Sequence, residues 1–286
     1  MQYLVPSADP KVWLTKQQLI RNEQPTVGGI ILFAEEPQAL IPKHCGIKIY
    51  RYTTKDFEGS RDTLAFDPIT IEGHAYSQIR DAVSNTTRIV EETRKMGTEG
   101  LENIRYPDVT LHEIITNAVL HRDYSIADDI HIRIFDNRVE IESPGRLPAH
   151  ITTKNILSER FARNGIIVRL INKFPDPPNK DVGEGLNTAF DAMTKLGLKP
   201  PVIEERDNSV RILIRHETLA SPEEVILEYL KTNESIRNKT AREITHVNAD
   251  YRIKAIFGRL ESIGLIEKIP GTDRSTTAYR KGTKFK

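Results

Sequence analysis

Three polar side chains stand four residues apart in LHEIITNAVLHRD, residues 111–123: Glu113, Asn117 and His121. At about 100° per residue, positions i, i+4 and i+8 stay within roughly 80° of one another, on one helix face. A carboxylate, an amide and an imidazole in one row could orient a water, ligate a hard cation and meet an anion. Beside the row runs an apolar stripe, Leu111, Ile114, Ile115, Ala118 and Val119, which predicts a side turned to a core. An amphipathic helix with a solvated face has the same spacing, so the row points to a site only in company.

That company is two glycine clusters. Glu142-Ser143-Pro144-Gly145-Arg146 closes an alternating stretch, and Asp181-Val182-Gly183-Glu184-Gly185 opens a helical one. Gly183 and Gly185 at a helix N-terminus let backbone N–H groups approach an anion, with the helix dipole in support. A tight turn alone would also use such a pair. No G-x-x-x-x-G-K-[ST] occurs, which excludes a P-loop motor, and no G-x-G-x-x-G follows a strand, so a dinucleotide fold has no support.

The elements that must position these residues follow from the hydrophobic pattern. Helices are predicted around Thr15–Arg21 and over His74–Arg94, and Val27–Phe33 reads as a buried strand. Gly46–Tyr52 alternates as a half-buried strand does, and Thr53–Ile69 is polar and irregular. Ile130, Ile132 and Ile134, then Asp136-Asn137, then Val139 and Ile141 spell a hairpin. Ile151–Lys173 is expected to hold helices, the better one Ile166–Phe174, with Arg163-Asn164 capping it and a lid role over a bound ligand as the sharper alternative. A helix from Gly185 closes at Gly197, and Val210–Ile214 is a strand. Pro222–Lys231, Lys239–Ile244 and Asp250–Ile263 read as helices, and Leu265–Ile269 and Thr277–Arg280 as strands.

With 286 residues, 38% hydrophobic and 28% charged, the chain has the composition of an ordinary soluble protein of two or three domains. Its single cysteine, Cys45, excludes an intramolecular disulfide and a Cys-rich zinc site, and suits a reducing cytoplasm. No signal peptide or membrane-length apolar run is visible, so neither export nor a membrane partner is expected. The net charge of +1 hides an asymmetry: Ile236–Lys286 holds 12 Lys and Arg against 5 Asp and Glu, or +7, and the first 235 residues carry −6.

The order of elements resembles the GHKL (Bergerat) ATP-binding fold of gyrase, heat-shock chaperones, histidine kinases and mismatch-repair ATPases. In that family the helix asparagine holds Mg²⁺ and the glutamate four residues earlier orients the attacking water; the matching positions are Asn117 and Glu113. LHEIITNAVLHRDYS, VEIESPGRLP, FARNGIIVRLINKF and DVGEGLNTAFDAM are similar to bacterial RecG-like, Schlafen AlbA-type DNA-binding ATP-binding proteins. That resemblance implies an α+β chain in three parts: a truncated AlbA-like α/β segment (1–95), a GHKL-like α/β sandwich (96–216) and a winged helix-turn-helix (217–286). It implies ATP and Mg²⁺ as ligands, with Asn117, His121, Ser143, Gly145, Gly183 and Gly185 binding them, Asn117 on the metal and Glu113 catalytic. One departure stands out. Where the family's first glycine loop carries an Asp that reads the adenine amino group, this chain offers Ser143 or Glu142.

PTVGGIILFAEEP resembles the later half of the AlbA-type domain, and the half that would carry the acidic nuclease motif is missing, as is any helicase motor. In the tail, Asp250–Ile263 is the expected recognition helix and Leu265–Arg280 the wing. Arg252, Lys254, Arg259, Lys268 and Arg274 are the candidate contacts to duplex DNA, with solvation or protein docking as the plainer uses of such charges. The expected function is a cytoplasmic, nucleotide-responsive DNA-binding regulator or defence-type protein, with a homodimer as a candidate assembly. The alternatives are a GHKL-fold interaction protein without nucleotide and a slow DNA-associated ATPase.

Overall fold

The computed structural model describes the chain apart from residues 1–8, 42–43, 98–99, 149, 160, 179–184, 217–221, 246, 248, 274–275 and 286, and gives the backbone alone for 94–103. It forms two compact units, Met1–Thr218 and Leu219–Lys286. Among the described residues no helix is long and apolar enough to cross a membrane.

The first unit begins with α1 (Pro10–Lys16), a two-stranded ribbon of β1 (Ile20–Arg21) and β2 (Gln24–Pro25), α2 (Val27–Phe33) and α3 (Pro37–Leu40). Next come β3 (Ile47–Arg51), β4 (Ile69–Ile71), α4 (Ala75–Glu92) and the hairpin β5 (Arg94–Gly97) and β6 (Gly100–Asn103). After α5 (Asp108–His121) follow β7 (Ile130–Ile134), β8 (Arg138–Pro144), α6 (Gly165–Ile171), α7 (Gly185–Lys195), β9 (Val202–Glu205) and β10 (Ser209–Arg215). Six strands build one mixed sheet in the order β4-β3-β7-β8-β10-β9, with β3 and β7 parallel and the other neighbours antiparallel.

The period-two pattern of the strands decides which face meets the helices. Ile47 pairs with Ile130, Ile49 with Ile132, Ile132 with Ile141, and Ile134 with Val139, and all of them are buried in the main core. The alternate residues, Arg133, Glu140, Glu142 and Arg211, point the other way and form ion pairs there: Arg133–Glu142 at 2.6 Å, Arg138–Glu140 at 2.7 Å and Arg211–Glu140 at 3.2 Å.

Three expectations fail in this unit: of the described residues in Ile151–Lys173 only Gly165–Ile171 are helical, and the other two lie near the start of the chain. Val27–Phe33 is a helix, not a strand. The Thr26 hydroxyl caps it by accepting from the Gly29 N–H at 3.3 Å, and the run buries Gly29, Ile31 and Leu32. A seven-residue apolar run has no periodicity to separate the two states, so the cap and the packing decide. The first helix lies earlier than expected, at Pro10–Lys16. Asp9 caps it at the Val12 N–H and proline occupies its first position.

The second unit runs α8 (Pro222–Thr232), β11 (Ile236–Arg237), α9 (Asn238–Thr245), α10 (Asp250–Ser262), β12 (Ile266–Lys268) and β13 (Ala278–Lys281). Its antiparallel sheet has the order β11-β13-β12. The core is separate from the first: Ile226, Leu230, Ile253, Phe257 and Leu260 close on Ile236 and Ile266, with Phe257 stacked on Tyr279 at 4.4 Å.

Candidate functional site

Helix α5 is buried on nearly every side. Thr110, Leu111, Ile114, Ile115, Thr116, Ala118, Val119 and Leu120 are all in the core, between α4, α7 and β8. Glu113, Asn117 and His121 lie on its partly open strip. It lines a pocket of about 430 Å³, so a helix with a merely solvated polar face is not what the fold contains.

Around this pocket the chain gathers most of the predicted residues. Glu113, Asn117 and His121 come from α5, Ser143 from the end of β8, Gly145 from the following turn, and Gly185 from the start of α7. Gly183 lies outside the described residues. The apolar wall is made by Ile114, Ala118, Ile141, Leu186, Val210 and Ile212, with Leu147, Pro148, Ile151, Ile156 and Phe161 from the segment between β8 and α6.

The Asn117 amide nitrogen donates to the Glu113 carboxylate at 2.7 Å and to the Glu113 carbonyl at 2.9 Å. This fixes the orientation of both side chains and leaves the amide oxygen of Asn117 as its acceptor. A Cβ on Gly185 would lie 3.9 Å from the Glu113 carboxylate, which places the glycine beside that acid. Burial, reinforced by the Arg163 charge, pushes the His121 imidazole down to about 4, so it is neutral at physiological pH.

The structure separates the two candidates in the first glycine loop. Ser143 lines the pocket, and its hydroxyl donates to the Ala118 carbonyl at 2.8 Å. Glu142 lies on the opposite face of the sheet, where Ser209 donates to it at 2.6 Å and Arg133 pairs with it. Burial raises the Glu142 carboxyl, but these hydrogen bonds and the arginines beside it outweigh burial and hold it below the usual range. Gly145 has φ +110°, and a Cβ there would come within 2.7 Å of the Asp123 Cβ. Only glycine fits this turn, because the backbone is left-handed and the start of the 123–128 loop packs directly on it.

Sequence spacing gave no sign of how the side chains at this corner pair. Asp123 pairs with Arg163 at 2.9 Å, not with its neighbour Arg122. Arg122 is no surface residue; it is 1% exposed and donates to the Asp128 carbonyl at 2.6 Å and the His44 carbonyl at 3.2 Å. Asn164 sits where a cap of α6 was expected but makes no side-chain cap bond. Its amide donates instead to the Leu120 and Arg122 carbonyls, both at 2.9 Å, satisfying orphan groups at the C-terminal end of α5. These partners lie some forty residues apart in sequence, beyond any local signal.

In the second unit three of the predicted DNA contacts stand in exposed ion pairs. Lys254 pairs with Asp250 at 2.7 Å, Arg259 with Glu223 at 2.6 Å and Lys268 with Asp273 at 2.7 Å. Arg252 is exposed and has no acid partner among the described residues; Arg274 lies outside them.

Residues 127–214 match the family model described as "Putative ATP-dependent DNA helicase recG C-terminal", an ATPase-type domain. The match takes in Ser143, Gly145, Gly183 and Gly185 but begins after α5 and its polar row. The crystal structure of the DIP2311 protein from Corynebacterium diphtheriae is similar in fold, with a TM-score of 0.54 and 17% sequence identity over 98% of this chain. The chain spans 60% of the length of that protein. No curated protein matches the sequence.

Proposed function

We propose that the first unit binds ATP in the pocket beside α5 and that the second binds duplex DNA, making the protein a nucleotide-responsive DNA-binding regulator or defence-type protein of the cytoplasm. One observation carries the nucleotide half. The partly open strip of a buried helix presents Glu113, Asn117 and His121 to a pocket shared with Gly145 and Gly185, which both lie in the segment 127–214 that is similar to an ATPase-type domain.

The residues suit the ligand. The pocket volume of about 430 Å³ lies in the range of small-molecule sites, and its apolar wall suits a flat base. Ser143 spends its proton on Ala118, so it offers lone pairs to an exocyclic amino group, as adenine has. The free amide oxygen of Asn117 is a hard, neutral donor fit for Mg²⁺, which would offset phosphate charge. Glu113, oriented by Asn117, is placed to position a water and accept its proton. Any hydrolysis is then slow and depends on Glu113.

For the second unit the order helix, strand, helix, helix, strand, strand supports a winged helix-turn-helix, and its +7 charge over Ile236–Lys286 supports DNA as partner. A specific result favours a pocket without nucleotide as the second reading: no carboxylate stands where the family reads adenine, since Glu142 faces away. Titration of the full chain with ATP, with and without Mg²⁺, decides between them. Saturable binding that loses its Mg²⁺-dependent part in Asn117→Ala is expected. Equal binding by wild type and variant in Mg²⁺ would move the site elsewhere, and no binding would leave the interaction protein.

A further inference from the structure

Three basic residues line the pocket, and they differ in what they can do for a polyanion. His121 is neutral. Arg146 is 68% exposed and faces Glu205 at 3.7 Å, so water screens it. Arg163 is permanently charged and only 24% exposed, and it stands in the wall that also bounds a second cavity of about 370 Å³. Its Nη1 donates to Asp123 at 2.9 Å, its Nη2 donates to the Arg146 carbonyl, and its Nε is buried with no acceptor. A buried donor without a partner is costly and uncommon, and an arginine fork matches phosphate oxygens in geometry and charge.

Asp123 is held firmly where it meets that arginine. Its Oδ1 accepts from the Ser125 N–H at 2.9 Å and from the Ser125 hydroxyl at 2.6 Å, and its own N–H donates to the Pro144 carbonyl at 2.7 Å. The Arg163 guanidinium carbon would lie 3.3 Å from a Cβ on Gly145, so the absence of that side chain makes room for the pair.

Resting on the nucleotide reading above, we propose that Arg163 is the cation that receives the nucleotide's phosphates and that Asp123 is its internal competitor, which phosphate must displace. The pocket thereby distinguishes polyphosphate from nucleoside by the strength of one ion pair. Asp123 sets that threshold without touching the ligand.

The test compares ATP with adenosine by calorimetric titration of the full chain, reading the ratio of the two affinities. Arg163→Gln should lower the ratio tenfold to a hundredfold, about what a charge-assisted hydrogen bond supplies. Arg163→Lys, which restores the charge without the fork, should recover part of it. Asp123→Asn keeps the oxygen that Ser125 uses and removes the charge opposite Arg163, so it should raise the ratio several-fold. Adenosine binding also reports that each variant is folded. A ratio unchanged in Arg163→Gln while adenosine still binds overturns this inference and leaves the pocket reading intact. A lower ratio in Asp123→Asn overturns the competitor role. Failure of wild type to bind either ligand overturns the nucleotide reading itself.

Discussion

The Gly145→Ala substitution tests the corner on which the site is built. Two costs add. An alanine at φ +110° is strained by about 1–3 kcal/mol. Its Cβ would also meet the Asp123 Cβ at 2.7 Å and the Asp123 nitrogen at 3.2 Å, and relieving that contact costs about 1–3 kcal/mol more. The sum, roughly 2–6 kcal/mol, is a large part of a typical stability of about 5–15 kcal/mol. At about 2–4 °C per kcal/mol for a unit of this size, the melting temperature should fall by roughly 5–20 °C. Gly197→Ala supplies the comparison. Its φ is +68° and nothing lies within 4 Å of a Cβ there, so it carries backbone strain alone, about 1–2 kcal/mol. The assay is urea unfolding followed by fluorescence of Trp13, the only tryptophan, buried in the first unit. If Gly145→Ala destabilises no more than Gly197→Ala, the turn gives way easily, and the close packing of Asp123 and Arg163 on it is not a constraint.

Four further outcomes are expected. With the His121 imidazole held down near 4, the neutral form favours the folded state; its contribution is fully present above about pH 6.5 and is lost as pH falls towards 4, up to about 3 kcal/mol, and His121→Gln should flatten that part of the urea-midpoint profile. Asn164→Ala strands two carbonyls at the end of α5 and should cost about 1–3 kcal/mol in the same unfolding assay, whereas a neutral effect would show that water replaces the amide. Glu113→Gln should bind ATP as wild type does and turn it over at background, and unchanged turnover would remove Glu113 from the mechanism. Duplex DNA binding by the full chain should weaken steeply with salt, and Arg252→Ala should reduce the log–log slope by about 0.9 if that residue holds one phosphate; a slope unaltered by the change places the contact elsewhere.

Local chemistry made a good part of this legible in the sequence. The α5 row followed from helical spacing, the Ile130–Ile134 and Val139–Ile141 hairpin from alternation about Asp136-Asn137, and the breaker at Gly145 from its neighbours, because each signal is carried by residues within a few positions of one another. Separation of the tail by charge was also plain from composition. What only the tertiary structure decided depends on residues far apart in the chain. Whether Val27–Phe33 is helix or strand turned on Thr26 and on packing against the core. Whether the polar row meets water or a pocket turned on α4, α7 and the segment between β8 and α6 surrounding α5. The choice between Ser143 and Glu142 was made by the pleat of β8 once its inner face was fixed by Ile132 and Ile212 across the sheet. Arg259 reads as a free cation until Glu223, thirty-six residues earlier, is brought beside it. Arg122, Asp123, Arg163 and Asn164 are ordinary polar residues in sequence. Folding buries one, pairs the next two and sets the last on the end of a helix, because a charge or amide taken from water must find its partner wherever the chain delivers one.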